Sequence, residues 1–312
     1  MTIVLNQDAI KTHLIHRYEN ILLDTISMEE NASCAGDLSL TVRSEDELGR
    51  DIFLKDIGQA SPVLAVPVYM EILALASIVV SGKLKSDEMA IFAGISSFEC
   101  LQNHSANEEL RGSISKISDK GDFLKYRGEL IGPNGNVCAG DMTAFFTKKS
   151  HQKESVTPTD FSFSSNASVE VIKQNYGKHK DMIICDSLVM VQDTECISSY
   201  TYPKNHPLIK GHFPGNPLMM GIMQWMAVED SLCVYFEQKK MAGINTWSCE
   251  AQLYNQDMVL VADIKKMTLK SWIDVPERPN QVELKSTKRL TFRHMVKPGD
   301  KIFIHCNKVE KL

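Results

Sequence analysis

The feature that most constrains this chain is an internal duplication. Ile21-Leu22-Leu23-Asp24 returns as Ile183-Ile184-Cys185-Asp186 at an offset of 162 (183 − 21). Phe92-Ala93-Gly94-Ile95 returns as Met241-Ala242-Gly243-Ile244 at an offset of 149 (241 − 92). Between these markers each half holds one long apolar stretch, Pro67–Val80 in the first and Met220–Phe236 in the second. Both are rich in Leu, Met, Ala and Val and long enough to be buried helices. After the first stretch, Leu110–Ile117, Phe123–Ile131 and Val137–Thr147 alternate as strands do. Asp-Lys-Gly-Asp and Gly-Pro-Asn-Gly separate them and read as turns. Each half is therefore a short opening strand, one buried helix and an antiparallel sheet around it.

Residues 148–168 are rich in Ser, Thr and Lys and lack apolar periodicity, so they read as a linker. They divide the chain into residues 1–147 and 169–312. The two halves differ after their helices. Roughly forty extra residues follow Gly243 before Thr291–Asp300, by the repeat logic, and the sequence ends at Leu312 one strand later. Counterparts of Phe123–Thr147 are missing from that register. Either Val259–Leu269 and Val282–Phe292 fill those places, or the C-terminal half is incomplete in a fragment of something longer.

Composition removes several classes. Hydrophobic residues make up 43% and charged residues 23% of the 312, values of a globular chain. No basic head, apolar run and small-residue cleavage site combine at the N-terminus, so no secretory signal is expected. Apolar runs such as Met219–Ala227 are too short to span a bilayer. A soluble, cytoplasmic protein is expected. The eight cysteines form no C-x-x-C pair, which argues for reduced thiols and against zinc. Cys185, Cys233 and Cys249 read as buried small hydrophobes. Residues 1–130 carry 12 Lys and Arg against 20 Asp and Glu (12 − 20 = −8), and residues 239–312 carry 14 against 8 (14 − 8 = +6). The basic end suits an acidic partner such as an acyl carrier protein, although a solvated charged surface is an equal reading. No aromatic platform interleaves the basic residues, so nucleic acid is not expected as a ligand.

Four segments resemble the bacterial 3-hydroxyacyl-carrier-protein dehydratases of the FabZ/FabA kind. His16-Arg17-Tyr18 followed by Ile21–Asp24 is similar to the family's P-H-R-Y-P-x-L-L-x-D, and Phe92–Ile95 to its F-A-G-I. Phe292–Asp300 resembles R-F-R-x-x-V-x-P-G-D. Gly211–Gly221 matches eight of the nine defined positions of G-H-F-P-G-x-P-x-M-P-G, the most specific of the four. The resemblance implies an α+β double hot-dog: two antiparallel sheets, each wrapped around a central helix, paired as a pseudo-dimer within one chain. A further homodimer is compatible with it.

The family removes water across the α and β carbons of a 3-hydroxyacyl thioester. A histidine takes the α-proton, and a carboxylic acid kept protonated by desolvation protonates the departing hydroxyl. The resemblance implies His212 as the base. It places the acid fourteen residues on, where this chain has Met226. The first half supplies what is missing. An ungapped offset of 155 sets Pro62 on Pro217 and Glu71 on Met226 (226 − 71), and it sets Ile57 on His212 (212 − 57). In the family each site takes its histidine from one subunit and its acid from the other. His212 and Glu71 are thus expected to form one complete site, and Ile57 with Met226 a vacant one.

Smaller roles follow from the same resemblance. Val66, at the start of the Glu71 helix, is the expected oxyanion amide, although Pro67 beside it has no N–H. Pro214 and Gly215 shape the turn that presents His212, Phe213 packs near the acyl tunnel, and Gly221 and Met226 border it. Met219, Met220, Met223 and Met226 read as core or tunnel lining. His16 and Arg17 read as structural or as part of the carrier-protein docking surface. A charge buried in an apolar helix is costly, so the competing reading of Glu71 is a solvated helix edge.

The expected activity is dehydration of 3-hydroxyacyl-carrier-protein thioesters to trans-2-enoyl thioesters in fatty-acid or polyketide-type biosynthesis. It needs neither metal nor redox cofactor, because the phosphopantetheine arm carries the substrate. Two alternatives share the fold. One is an acyl thioesterase that activates water with a helix carboxylate. The other is a non-catalytic acyl-binding pseudo-dehydratase, which wide separation of His212 and Glu71 would favour.

Overall fold

The computed structural model describes residues 1–30, 34–82, 88–148, 161–173 and 176–312. Most of the expected linker, residues 149–160, lies outside the described residues. The first half runs β1 (Thr2–Asn6), α1 (Gln7–Ile10), β2 (Thr25–Glu29), β3 (Ala35–Leu40), β4 (Leu54–Lys55), β5 (Val63–Leu64), α2 (Val66–Val80), β6 (Glu88–Cys100), β7 (Leu110–Lys120), β8 (Phe123–Gly132) and β9 (Gly135–Lys148). The second runs β10 (Val169–Glu170), β11 (Ser187–Val191), β12 (Cys196–Thr201), α3 (Gly221–Gln238), β13 (Gly243–Asn255), β14 (Leu260–Ile273), β15 (Gln281–Phe292) and β16 (Lys301–Lys311).

Both apolar stretches are helices. All 15 residues of α2 are buried, Glu71 among them, and Pro67 is tolerated because it falls in the first turn, where an N–H has no helical acceptor. A helix apolar all round must be enclosed on every side. α2 and α3 contact each other and the concave face of the sheet. Met220, Met223 and Met226 are core. All eight cysteines are free and seven are buried, including Cys185, Cys233 and Cys249. No helix among the described residues is long and apolar enough to cross a membrane.

The two halves share one 14-stranded antiparallel sheet, and β4 and β5 form a small separate ladder. The halves join where β6 pairs with β15, with Gly94 opposite Thr291 and Ile95 opposite Leu290. A Cβ on Gly94 would lie 2.4 Å from the Leu290 carbonyl oxygen, so the seam closes only on glycine there. From the outside to the seam, the first half is ordered β2-β3-β7-β8-β9-β6 and the second β11-β12-β16-β13-β14-β15. This is a double hot-dog, two six-strand units around two helices. β1 and β10 add an outer strand to each.

The second unit departs from the first in strand order. β16 occupies the place of β7, β13 that of β8, β14 that of β9, and β15 that of β6. The four strands after the helix are circularly permuted. The β7–β8 hairpin has no equivalent, and residues 274–280 connect β14 to β15 instead. Because β13 and β15 both run antiparallel to β14, they are parallel to each other, and the end of α3 can feed either one. Strands in the insertion therefore fill the places left open by the repeat register. The match of Phe92–Ile95 to Met241–Ile244 is corrected on this point. The first lies in β6 at the seam, and the second opens β13 inside the sheet.

Candidate active site

The Gly211–Gly221 segment bridges β12 and α3. A short 3-10 turn, Pro207–Lys210, delivers the chain to Gly211, and the His212 amide donates to the Leu208 carbonyl at 3.0 Å. Gly211 is required by close approach. A Cβ there would lie 2.1 Å from the Arg17 carbonyl oxygen, and the Arg17 amide donates to the Gly211 carbonyl at 2.9 Å. This packing locks the 16–20 segment of the first half against the His212 loop of the second. Phe213 takes a left-handed conformation (φ +56°), as does Gly215 (φ +86°), so the loop turns sharply just after His212. Phe213 is held by a small apolar cluster with Leu218 and Met89. The His212 Nδ1–H donates to the Leu218 carbonyl at 2.8 Å, which leaves the Nε2 lone pair free.

The shared interior brings His212 and Glu71 together. Side-chain donor atoms of His16, Glu71 and His212 all lie within 4.8 Å of one another. They line a cavity of about 80 Å³ whose walls include Leu75 and Ile78 of α2, Ile91 and Phe92 of β6, and Phe213, Leu218 and Met295 of the second half. Glu71 is 5% exposed, so the solvated-edge reading does not hold. Its carboxyl has no hydrogen-bond partner among the described residues, and burial alone pushes its pKa up to about 7. Burial pulls His212 down to about 4, partly offset by its bond to Leu218. His16 is held well below the ordinary imidazole value by burial first, then by His212 and Arg17. Between pH 4 and 7 the site thus holds a neutral imidazole with a free lone pair beside a protonated carboxyl. One carboxylate and two imidazoles are also a donor set that could hold a transition metal.

Of the expected substrate-contacting residues, Phe213 and Gly221 line the cavity. Pro214 and Gly215 are exposed at the loop tip, while Val66 and Met226 are buried in the core away from the cavity lining. The helix start that borders the cavity is that of α3, not α2. Gly221 is its first residue, and neither Gly221 nor Ile222 gives its N–H to a protein acceptor among the described residues. Val66, the expected oxyanion amide, starts α2 in the core, whereas Gly221 starts the helix that borders the cavity, because the loop that carries His212 runs directly into α3. A Cβ on Gly221 would lie 2.9 Å from Phe292 Cζ, so glycine also keeps this mouth open.

Three polar groups of the cavity lining, His16, Gln224 and His294, were not assigned to the site from sequence. His16 lines the cavity, whereas Arg17 has the structural role expected of it, donating to the Leu14 and His16 carbonyls. Gln224, one turn into α3, also lines the cavity, and its buried Oε1 has no partner among the described residues. Its spacing of three residues from Gly221 was the available signal.

The vacant position is filled differently. Ile57 and Met226 are both core residues. The duplication offset sets His16 on residue 178, which is Lys178, buried and paired with Asp230 at 2.5 Å. Nearby, buried Lys55 and Glu283 pair at 2.7 Å. Burial pulls Glu283 upward, but Lys55 and Lys285 more than offset this and hold it at about 2. These ion pairs use other residues, and neither a histidine nor a carboxylic acid stands at 57 or 226.

No family model matches the chain, and no curated protein matches it. Several solved structures are similar to it. The dehydratase domain from the CurF module of curacin polyketide synthase is 11% identical, covering 88% of this chain and 99% of that one, with a TM-score of 0.49. The dehydratase domain from the CurK module is 8% identical, covering 94% and 98%, with a TM-score of 0.48. The dehydratase heterocomplex ApeI:P from Xenorhabdus doucetiae is 17% identical, covering 45% and 92%, with a TM-score of 0.39. The double hot-dog assignment rests on the strand order of this chain itself.

Proposed function

We propose that the protein is a 3-hydroxyacyl-thioester dehydratase with one composite site per chain, acting on substrates carried by the phosphopantetheine arm of an acyl carrier protein. The observation that carries this reading is the pairing of His212 and Glu71 in one apolar cavity, from opposite halves and in complementary protonation states. His212 Nε2 takes the α-proton, and the C–H electron pair becomes the new C=C bond. The Cβ–O bond breaks, and the leaving oxygen takes the proton of Glu71 and departs as water. The proton on His212 then returns to Glu71. The free amides of Gly221 and Ile222 stabilise the enolate oxygen of the thioester. Their closeness gives no support to the pseudo-dehydratase reading, which wide separation of the pair would favour.

The test uses a 3-hydroxybutyryl-pantetheine thioester and follows formation of the conjugated enoyl product. Wild type turns over, and His212→Ala and Glu71→Gln each lose activity by at least about 100-fold, the scale of losing a general acid or base. Full activity in Glu71→Gln sinks the reading. Release of free acid without enoyl product assigns a thioesterase instead. Fatty-acid and polyketide-type pathways both supply such substrates.

A further inference from the structure

We infer that His16 is a third substrate-contacting group of this site, an imidazole whose Nε2–H donates to the β-hydroxyl oxygen that leaves. The inference rests on the dehydratase reading and adds to it the device that stabilises the leaving group.

His16 is 3% exposed, its Nδ1 is buried without a partner, and neither ring nitrogen has a hydrogen-bond partner among the described residues. Nδ1 is sealed within the protein, so Nε2 is the nitrogen that reaches the cavity His16 lines. A neutral imidazole carries one proton, and the surroundings decide where it sits. Sealing an N–H with no acceptor forfeits a strong donor, whereas under-satisfied acceptors are more often tolerated in protein interiors. The proton of His16 therefore sits on Nε2 and faces the cavity. His212 is the reverse, since its Nδ1–H is engaged by Leu218 and its Nε2 is bare. The two rings, with centroids 5.2 Å apart, present one donor and one acceptor to the same space.

The spacing allows two of these groups to share one atom. Two groups each about 2.8 Å from one oxygen lie at most about 5.6 Å apart, and the side-chain donor atoms of His16, Glu71 and His212 all lie within 4.8 Å of one another. His16 and Glu71 can therefore both reach the β-hydroxyl oxygen, with His212 beside it at the α carbon. During elimination the electron pair of the breaking Cβ–O bond moves to that oxygen. Glu71 transfers its proton there, and the His16 Nε2–H adds a second hydrogen bond while keeping its own proton. Close packing of Gly211 on Arg17 holds the donor in register with His212. Position 178, the counterpart of His16, holds a lysine already engaged by Asp230.

Two measurements on the full chain test this. Long-range ¹H–¹⁵N correlation spectra of ¹⁵N-histidine protein at pH 7, assigned with His16→Gln and His212→Ala, are expected to show opposite tautomers, Nε2–H for His16 and Nδ1–H for His212. With 3-hydroxybutyryl-pantetheine, His16→Leu is expected to lower kcat about 100-fold, the scale of losing one pre-organised donor. KM should stay within about 2-fold, because the bond strengthens as the hydroxyl leaves. His16→Gln, which keeps an N–H, should recover at least about 10-fold of that loss. A His16 tautomer with the proton on Nδ1, wild-type kcat in His16→Leu, or equal losses in both variants would overturn the inference. So would one tightly held zinc per wild-type chain that His16→Leu loses. Absence of turnover in wild type fails the dehydratase reading itself, whereas an active wild type with an indifferent His16 fails this inference alone.

Discussion

Replacing Glu71 by Gln should stabilise the protein at alkaline pH while abolishing turnover. In the folded chain burial moves the Glu71 carboxyl from 4.5 to about 7. At about 1.36 kcal/mol for each tenfold change in proton affinity, this is about 3 kcal/mol. The sign follows from linkage. Below pH 4.5 the carboxyl is protonated in both states and contributes nothing. As pH rises, the unfolded chain gives up the proton first and the folded state loses stability relative to it. The loss is complete once pH passes about 7. Gln keeps the shape and never ionises. Urea unfolding of wild type and Glu71→Gln at pH 4, 6 and 8 should therefore show near-equal stability at pH 4 and a gap that opens to about 3 kcal/mol at pH 8. At roughly 2 °C per kcal/mol for a chain of this size, the melting temperature at pH 8 should rise by about 6 °C. A gap that does not change with pH would mean that the carboxylate is solvated when folded. The reasoning that keeps it protonated for catalysis would then fail, since the same desolvation underlies both effects.

Other outcomes follow from the same geometry. The pH profile of kcat/KM should rise through about 4, where His212 loses its proton, and fall through about 7, where Glu71 loses its own; a profile flat from pH 6 to 9 would remove Glu71 as the acid. Lys178→Met should lower unfolding free energy by about 3–5 kcal/mol, because it leaves Asp230 and Glu229 buried without their cation. Urea titration reads this, and a loss under about 1 kcal/mol would mean the pairs are hydrated. Gly221→Ala, whose Cβ would press on Phe292 at 2.9 Å, should lower kcat by up to about 100-fold through misplacement of the α3 amides. Wild-type kcat there would show that those amides do not contact the thioester.

Much of this site was legible in the sequence, because its signals are local. The apolar runs that became α2 and α3 are continuous, and a helix surrounded by sheet needs nothing else. The His212 loop is built from residues whose backbone freedom is written in their identity, with glycines at 211 and 215 and a proline at 214. The pairing of His212 with Glu71 followed from one offset between two copies, since a fused pseudo-dimer must cross its halves as a dimer does.

What the sequence by itself determined was the duplication, the two buried helices and the two residues, His212 and Glu71, that meet in the cavity. Only the tertiary structure decided the strand order of the second unit, because a strand's alternation records which face is buried and not which neighbour it pairs with. β13 and β15 run parallel, so either strand offers the same direction to the chain leaving α3. The tertiary structure likewise decided that the helix start at the site belongs to Gly221 and that His16, read as structural or as part of a docking surface, stands against His212. Those facts depend on contacts between residues as far apart as 16 and 212, where no spacing along the chain carries the information.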